Sequence, residues 1–351
     1  MSYFIRNGNS YRVAADEALD IQKVLPVGNY TVKFDQMSNT FFLEMVDSFT
    51  PVKKMYGDTV RHTQRILNTF NERSSSTGVM LAGEKGSGKS LLAKNLSIEA
   101  AKDGIPTIVI NAAYTGDGFN AFIQNIEQPC VILFDEFEKV YDGEDQEKAL
   151  TLLDGVYPTK KLFVLTCNNK YRIDENMRNR PGRIFYMLDY KGLDSNFIIE
   201  YCNDNLNNKV HIDKIVELAA LFEQFNFDML KALVEEMNRY NESPQESLKM
   251  LNAKPEYNNG GNFDCKLFVD GKQITNVREL WNGNPLTGTV YFEYDAKPED
   301  PEADSWTEVE FTPNHIVKVD AHAGSFVYQN EKGDTCTLIR KKDTGYNYLA
   351  Y

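Results

Sequence analysis

Residues 78–90 read Gly78-Val79-Met80-Leu81-Ala82-Gly83-Glu84-Lys85-Gly86-Ser87-Gly88-Lys89-Ser90. The first five have the length and apolarity of a buried strand, and Gly83 to Ser90 matches the spacing GxxxxGK[ST], directly after that strand and directly before a helix. Glycines let backbone N–H groups fold around phosphate oxygens, and the helix that follows points its positive end at them. Lys89 is expected to reach the outer phosphates and Ser90 to ligate Mg²⁺. The expected nucleotide-binding set is Gly83, Glu84, Lys85, Gly86, Ser87, Gly88, Lys89, Ser90 and Leu91, with ATP and Mg²⁺ as the implied ligands.

Outward from this loop the chain repeats apolar strands separated by helices, the pattern of an α/β protein built on a parallel sheet. The expected strands are Gly78–Ala82, Thr107–Ile110, Val131–Phe134, Leu162–Thr166 and Arg183–Leu188. Two of them end in polar residues. Val131-Ile132-Leu133-Phe134 runs into Asp135-Glu136, which places two carboxylates at the carboxyl edge of the sheet, where open α/β sheets bind ligands. Asp135 suits the Mg²⁺ shell, and Glu136 suits orienting and deprotonating an attacking water. Glu138 is the next candidate base, although Glu138 and Lys139 read first as solvated. Leu162-Phe163-Val164-Leu165-Thr166-Cys167 runs into Asn168-Asn169, where one amide can hydrogen-bond the water or the γ-phosphate. Asn168 is the choice. Finally, Arg178-Asn179-Arg180-Pro181-Gly182-Arg183 displays arginines on a turn beside the last strand, a pattern that is also common as a plain turn.

The 351 residues are too many for one ordinary core and enough for two or three domains. Residues 1–46 read as a small β-rich segment and 47–190 as the nucleotide-binding core. A helical lid is expected over 191–241, a linker rich in Asn, Gly, Pro and Ser over 242–263, and a β-rich domain over 264–351, with the acidic stretch KPEDPEAD at 297–304 as a hairpin tip. The formal net charge of −13 argues against a surface built to wrap duplex DNA. Five cysteines without a CxxC pair, and four histidines without ligand spacing, point to a reducing compartment and to no metal beyond the one that comes with ATP. The amino terminus lacks a signal peptide and no stretch approaches the roughly 18 apolar residues of a membrane span, so a cytoplasmic protein is expected.

Taken together, the loop at 83–90, the acidic strand end at 131–136, the amide strand end at 162–168 and the RPGR turn at 180–183 resemble the AAA ATPases over roughly residues 55–240. The stretch LTCNNKYRIDENMRNRPGR looks most like the branch that contains the mitochondrial translocase of the Rieske iron–sulfur protein, and like AAA proteins of tailed phages, for which the location would be the host cytoplasm. The resemblance implies a ring of roughly six or seven copies of the chain. It also implies that Arg180 and Arg183 act as arginine fingers on the ATP of a neighbouring subunit. The translocase has an N-terminal membrane helix and this chain has none, so translocation is not implied. Tyr114-Thr115-Gly116 could serve as a pore loop or as an ordinary loop aromatic, and Lys231 is a faint stand-in for a second sensor. Three roles stay open: an ATP-driven remodeller of a protein client, a nucleic-acid motor or loader, and a ring whose assembly is gated by nucleotide.

Overall fold

The computed structural model of the protein describes residues 2–7, 10–15, 20–153, 159–178, 180–222, 224–253, 263–279, 284–296 and 306–341. The chain forms two compact units, Met1–Tyr190 and Lys191–Tyr351.

The first unit contains strands β1 (Ser2–Asn7), β2 (Ser10–Ala15), β3 (Asn29–Asp35), β4 (Thr40–Val46), β5 (Thr77–Gly83), β6 (Thr107–Ile110), β7 (Cys130–Phe134), β8 (Lys161–Cys167) and β9 (Tyr186–Tyr190). Its helices are α1 (Thr59–Glu72), α2 (Lys89–Lys102), α3 (Asp117–Gln124), α4 (Phe137–Val140), α5 (Gly143–Leu153) and α6 (Glu175–Arg178). Among the described residues β1 and β2 pair only with each other, and the other seven strands form one sheet in the order β4-β3-β6-β7-β8-β5-β9. Five parallel strands were expected and all five are present, adjacent to one another. The sheet is larger than expected because β3 joins it in parallel beside β6, and β4 returns antiparallel as the edge. The N-terminal 1–46 segment is therefore not a separate β-rich piece: its second hairpin belongs to the central sheet.

Alternation along the strands shows why the sheet is buried on both faces. Met80, Ala82, Ile132, Phe134, Phe163 and Leu165 belong to one core. Their neighbours Val79, Leu81, Val131, Leu133, Leu162 and Val164 belong to another, packed with Ile66 and Phe70 of α1 and Leu92 and Leu96 of α2. A parallel strand covered on both faces has to be apolar throughout, which is why these strands read as continuous hydrophobic runs.

The order of the strands also positions the site. After β5 the chain crosses over to β6, three places away, and after β8 it crosses to β9 on the opposite side of β5. Such a reversal opens a crevice at the carboxyl ends of the strands.

The second unit holds helices α7 (Ser195–Asn205), α8 (Ile212–Ala219), α9 (Phe227–Tyr240) and α10 (Pro244–Met250). Its strands are β10 (Phe263–Val269), β11 (Lys272–Ile274), β12 (Val277–Glu279), β13 (Val290–Asp295), β14 (Trp306–Phe311), β15 (Ile316–Asp320), β16 (Ser325–Gln329) and β17 (Thr335–Arg340). They form a five-stranded sheet, β11-β10-β17-β16-β15, and a three-stranded sheet, β12-β13-β14. The buried Tyr328 ties the two together, its ring 6.0 Å from Phe311 and its hydroxyl donating to the Pro285 carbonyl at 3.0 Å.

The helical and β-rich parts, read from sequence as lid, linker and separate domain, pack into one unit. α8 packs on β15, and the Ala321 N–H donates to Ser195 Oγ at 3.2 Å. The stretch expected as a linker starts with α10, which carries Pro244 in its first turn and a capping box between Ser243 and Glu246. The linker residues 254–262 and the acidic stretch 297–304 lie outside the described residues.

Candidate nucleotide site

β5 ends at Gly83 and α2 begins at Lys89, so the glycine-rich loop is a five-residue bridge from strand to helix. Gly83 sits at φ 141°, and a Cβ there would lie 2.4 Å from the Tyr190 carbonyl oxygen of β9, so only glycine fits. Gly88 has φ 97° and caps α2 without any side-chain hydrogen bond, and a Cβ there would meet nothing within 4 Å. The first turn of α2 has no acidic residue and no side-chain cap, so no side chain competes there with an anion for the positive end of the helix. Ser87 Oγ is buried without a hydrogen-bond partner, which fits a loop shaped to receive acceptor oxygens.

Lys89 is 6% exposed. Its Nζ donates to the carbonyls of Gly83 at 2.5 Å and Glu84 at 2.7 Å, and to Asn168 Oδ1 at 3.3 Å. Burial lowers its pKa, while Glu138, Asp135 and Glu136 oppose that shift. Burial pushes the nearby Cys167 thiol up to about 12, so near neutral pH it is uncharged and the carboxylates do this work.

The acids of β7 are fixed by β8. Thr166 Oγ1 donates to Asp135 Oδ1 at 2.7 Å and accepts from the Glu136 backbone N–H at 2.8 Å. Glu136 then turns the chain in the left-handed region, φ 50° and ψ 49°, a conformation that costs a non-glycine residue roughly 1 kcal/mol. The aromatic packing of α4 holds this turn: Phe137 stacks on Tyr141 at 4.8 Å and meets Phe134 edge-on at 5.6 Å. As a result the Glu136 carboxylate faces both Asn168 and Lys139. Asn168 Nδ2 is 3.5 Å from Glu136 Oε1, and Lys139 Nζ is 2.6 Å from the same oxygen. The Lys139 hydrogen bond holds the Glu136 carboxyl below the usual range, with smaller help from Asn168 and Lys85.

Lys89, Asn168 and Glu136 thus lie in one chain of contacts, with Asp135 held alongside by Thr166. Ser90 and Asp135 are both exposed, and Leu91 is half-buried in the first turn of α2. Their chemistry, a hydroxyl and a carboxylate at the loop's edge, suits Mg²⁺. Asn169 takes a different part, accepting the Tyr171 N–H at 2.9 Å as the cap of a short 3₁₀ turn.

The arginines of the RPGR turn lie elsewhere. The Arg183 carbonyl packs against Gly78, where a Cβ would come within 1.9 Å of it, and the Phe185 N–H donates to the Gly78 carbonyl at 2.8 Å. Gly78 is at the start of β5 and the glycine-rich loop is at its end, about 16 Å away at the rise of a strand. Arg180 and Arg183 are therefore not brought to their own chain's loop. Arg180 is exposed, and Arg183 Nη1 donates to the Asn176 carbonyl at 2.9 Å.

Three residues take parts that their sequence pattern does not show. Thr166 reads only as strand, although a hydroxyl opposite the Asp-Glu pair is a visible signal. Gly78 left no sign of its role, because the turn it admits is distant in sequence. Glu138 reads as solvated by sequence, yet it is only 9% exposed. Tyr114 is built into packing, with rings of Phe41 at 5.3 Å and Phe119 at 5.7 Å, and its carbonyl accepts the Tyr141 hydroxyl at 3.0 Å. Lys231 is exposed on α9.

The family described as ATPase family associated with various cellular activities (AAA) matches residues 79–188, from Val79 in β5 into β9. Among curated proteins the chain is 32% identical over 130 residues to an ATP-dependent zinc metalloprotease FtsH of Heterosigma akashiwo, covering 30% of this chain and 19% of that protein. It is 30% identical over 125 residues to the nuclear valosin-containing protein-like of Mus musculus, covering 30% and 14%. It is 25% identical over 231 residues to the peroxisomal ATPase PEX1 of Dictyostelium discoideum, covering 59% and 16%. The chain spans less than a quarter of the length of these relatives, and the matches support the AAA family without singling out the translocase branch. Over residues 79–188, the core that carries the site, the chain matches the AAA family of ATPases.

Proposed function

We propose that the chain binds ATP with Mg²⁺ at the carboxyl edge of its parallel sheet and hydrolyses it between subunits of a homo-oligomeric ring, to remodel a protein client. The observation that carries this is the contact chain Lys89–Asn168–Glu136, at 3.3 and 3.5 Å, assembled at the end of three neighbouring strands. In this reading the loop amides and Lys89 hold the outer phosphates, Ser90 and Asp135 hold Mg²⁺, and Glu136 takes the proton of the attacking water while Asn168 orients it. Mg²⁺, when bound, neutralises charge on the phosphate oxygens. The distance from the RPGR turn to its own loop supports the arginines acting on a neighbour's ATP. The net charge of −13 weighs toward a protein client over nucleic acid. Among the described residues no helix is long and apolar enough to cross a membrane.

Lys89→Ala tests the pocket. It removes the charge-assisted contact to the outer phosphates, and ATP affinity is expected to fall by about a hundredfold or more in isothermal titration. Wild-type affinity in this variant would sink the assignment.

Lys139 supplies a second test. Its hydrogen bond stabilises the ionised Glu136, so removing it raises the Glu136 pKa. Because the base works only when ionised, the acidic limb of the kcat–pH profile moves to higher pH in Lys139→Ala, while the plateau stays within about threefold. A limb that stays in place separates Glu136 from the rate.

A further inference from the structure

Glu138 is a carboxylate of α4 that the proposed chemistry does not use. It points under the strand ends, is 9% exposed, and its two oxygens differ. Oε1 accepts the backbone N–H of Asn168 at 2.8 Å, whereas Oε2 is buried with no hydrogen-bond partner. Burying a carboxylate with half its acceptor capacity unused is costly, so an apolar residue in this place would be the expected choice unless the bond to Asn168 matters. That bond lies at the point where β8 ends and the backbone must turn. From there the Asn168 side chain reaches Lys89 Nζ with its oxygen at 3.3 Å and Glu136 Oε1 with its nitrogen at 3.5 Å.

We infer that Glu138 is a positioning residue: by fixing the Asn168 backbone it aims the amide between Lys89 and Glu136, and so ties the acidic strand end of β7 to the amide strand end of β8. This rests on the ATP-hydrolysis reading given above. Glu138 and Glu136 sit on the same short turn, two residues apart, so the placement of Glu136 in the left-handed region and the grip on Asn168 are set by one piece of backbone. Glu138 touches no reacting atom in this scheme. It acts through Asn168, and the amide has a defined direction only while that backbone is held.

Two substitutions separate the hydrogen bond from the packing. In Glu138→Gln the amide oxygen still accepts the Asn168 N–H, and kcat for phosphate release is expected within about threefold of wild type. Glu138→Leu fills similar space without an acceptor, and kcat is expected to fall about tenfold or more while the KM for ATP changes by less than about threefold. Because the effect passes through Asn168, the Asn168→Ala/Glu138→Leu double variant should be no slower than Asn168→Ala alone. Losses that multiply, a Glu138→Gln variant as slow as Glu138→Leu, or a Glu138→Leu variant at the wild-type rate would each overturn the inference. Should Glu138→Leu not fold, exchange of the Asn168 amide in the wild-type protein decides: a protected amide agrees with the bond, and exchange at the unprotected rate overturns it. A wild-type protein that releases no phosphate, or whose release survives Glu136→Gln, would sink the hydrolysis reading instead.

Discussion

Glu136→Gln is expected to keep ATP binding within a few fold and to lower turnover by about a hundredfold or more, equivalent to about 2.7 kcal/mol of lost barrier reduction. The amide preserves size, and its oxygen can still accept from Lys139 and Asn168, so the left-handed turn and the packing of Phe137 on Tyr141 have no reason to change. What is lost is the capacity to accept the proton of water. Binding and chemistry thereby separate: titration calorimetry reports on the loop and Lys89, and phosphate release reports on the carboxylate. Unchanged phosphate release would move the base elsewhere. Glu138, the next candidate by sequence, is poorly placed for that work, because its only bonded oxygen is engaged by Asn168 and the other is sealed from solvent. A variant that loses ATP binding as well would show instead that Glu136 holds the loop together.

The parts of this architecture legible in the sequence were those that chemistry writes locally. A strand with both faces buried must be apolar at every position, so Val131–Phe134 and Leu162–Thr166 announced themselves, and a loop that wraps phosphate must use glycine where Gly83, Gly86 and Gly88 stand at positive φ. What was not legible depends on partners far apart in the chain. β3 alternates apolar and polar residues like any half-exposed strand, and nothing in Tyr30, Val32 and Phe34 says that it will lie beside β6 rather than in a separate hairpin. Gly78 looks like an ordinary weak point in a strand until the Arg183 carbonyl is seen packed against its α-carbon. Glu138 carries the composition of a solvated helix face, and its burial follows only from the turn at Glu136 that directs it beneath Asn168. The Asn-rich stretch after residue 241 has linker composition, yet Ser243, Pro244 and Glu246 are also the start signals of a helix, and the capping chemistry won.

The positions of Arg180 and Arg183 lead to the most discriminating result expected of this protein. The RPGR turn packs at the opposite end of β5 from the loop, so neither arginine is brought to its own chain's loop, and in the proposed ring each would act on the ATP of a neighbour. An arginine that stabilises charge on the transferred phosphoryl group is worth about a thousandfold in rate, about 4 kcal/mol. Arg183→Ala should therefore leave ATP binding nearly intact and nearly eliminate hydrolysis. Arg180→Ala provides the parallel test at the more exposed arginine. The carbonyl of Arg183 that packs on Gly78 is unaffected by the change, so the turn should hold. Mixing Arg183→Ala with Glu136→Gln then sets two inactive proteins against each other. Where an Arg183→Ala subunit supplies the carboxylates and a Glu136→Gln subunit supplies the arginine, the site is complete, and random assembly at equal amounts makes about a quarter of the interfaces so. Activity should reappear on mixing, in proportion to mixed rings detected by crosslinking or mass photometry. If mixed rings form and stay inactive, and Arg180→Ala behaves the same way, no arginine of this turn is shared between subunits. The close packing of Gly78 against Arg183 would then serve only to anchor β9 to the sheet.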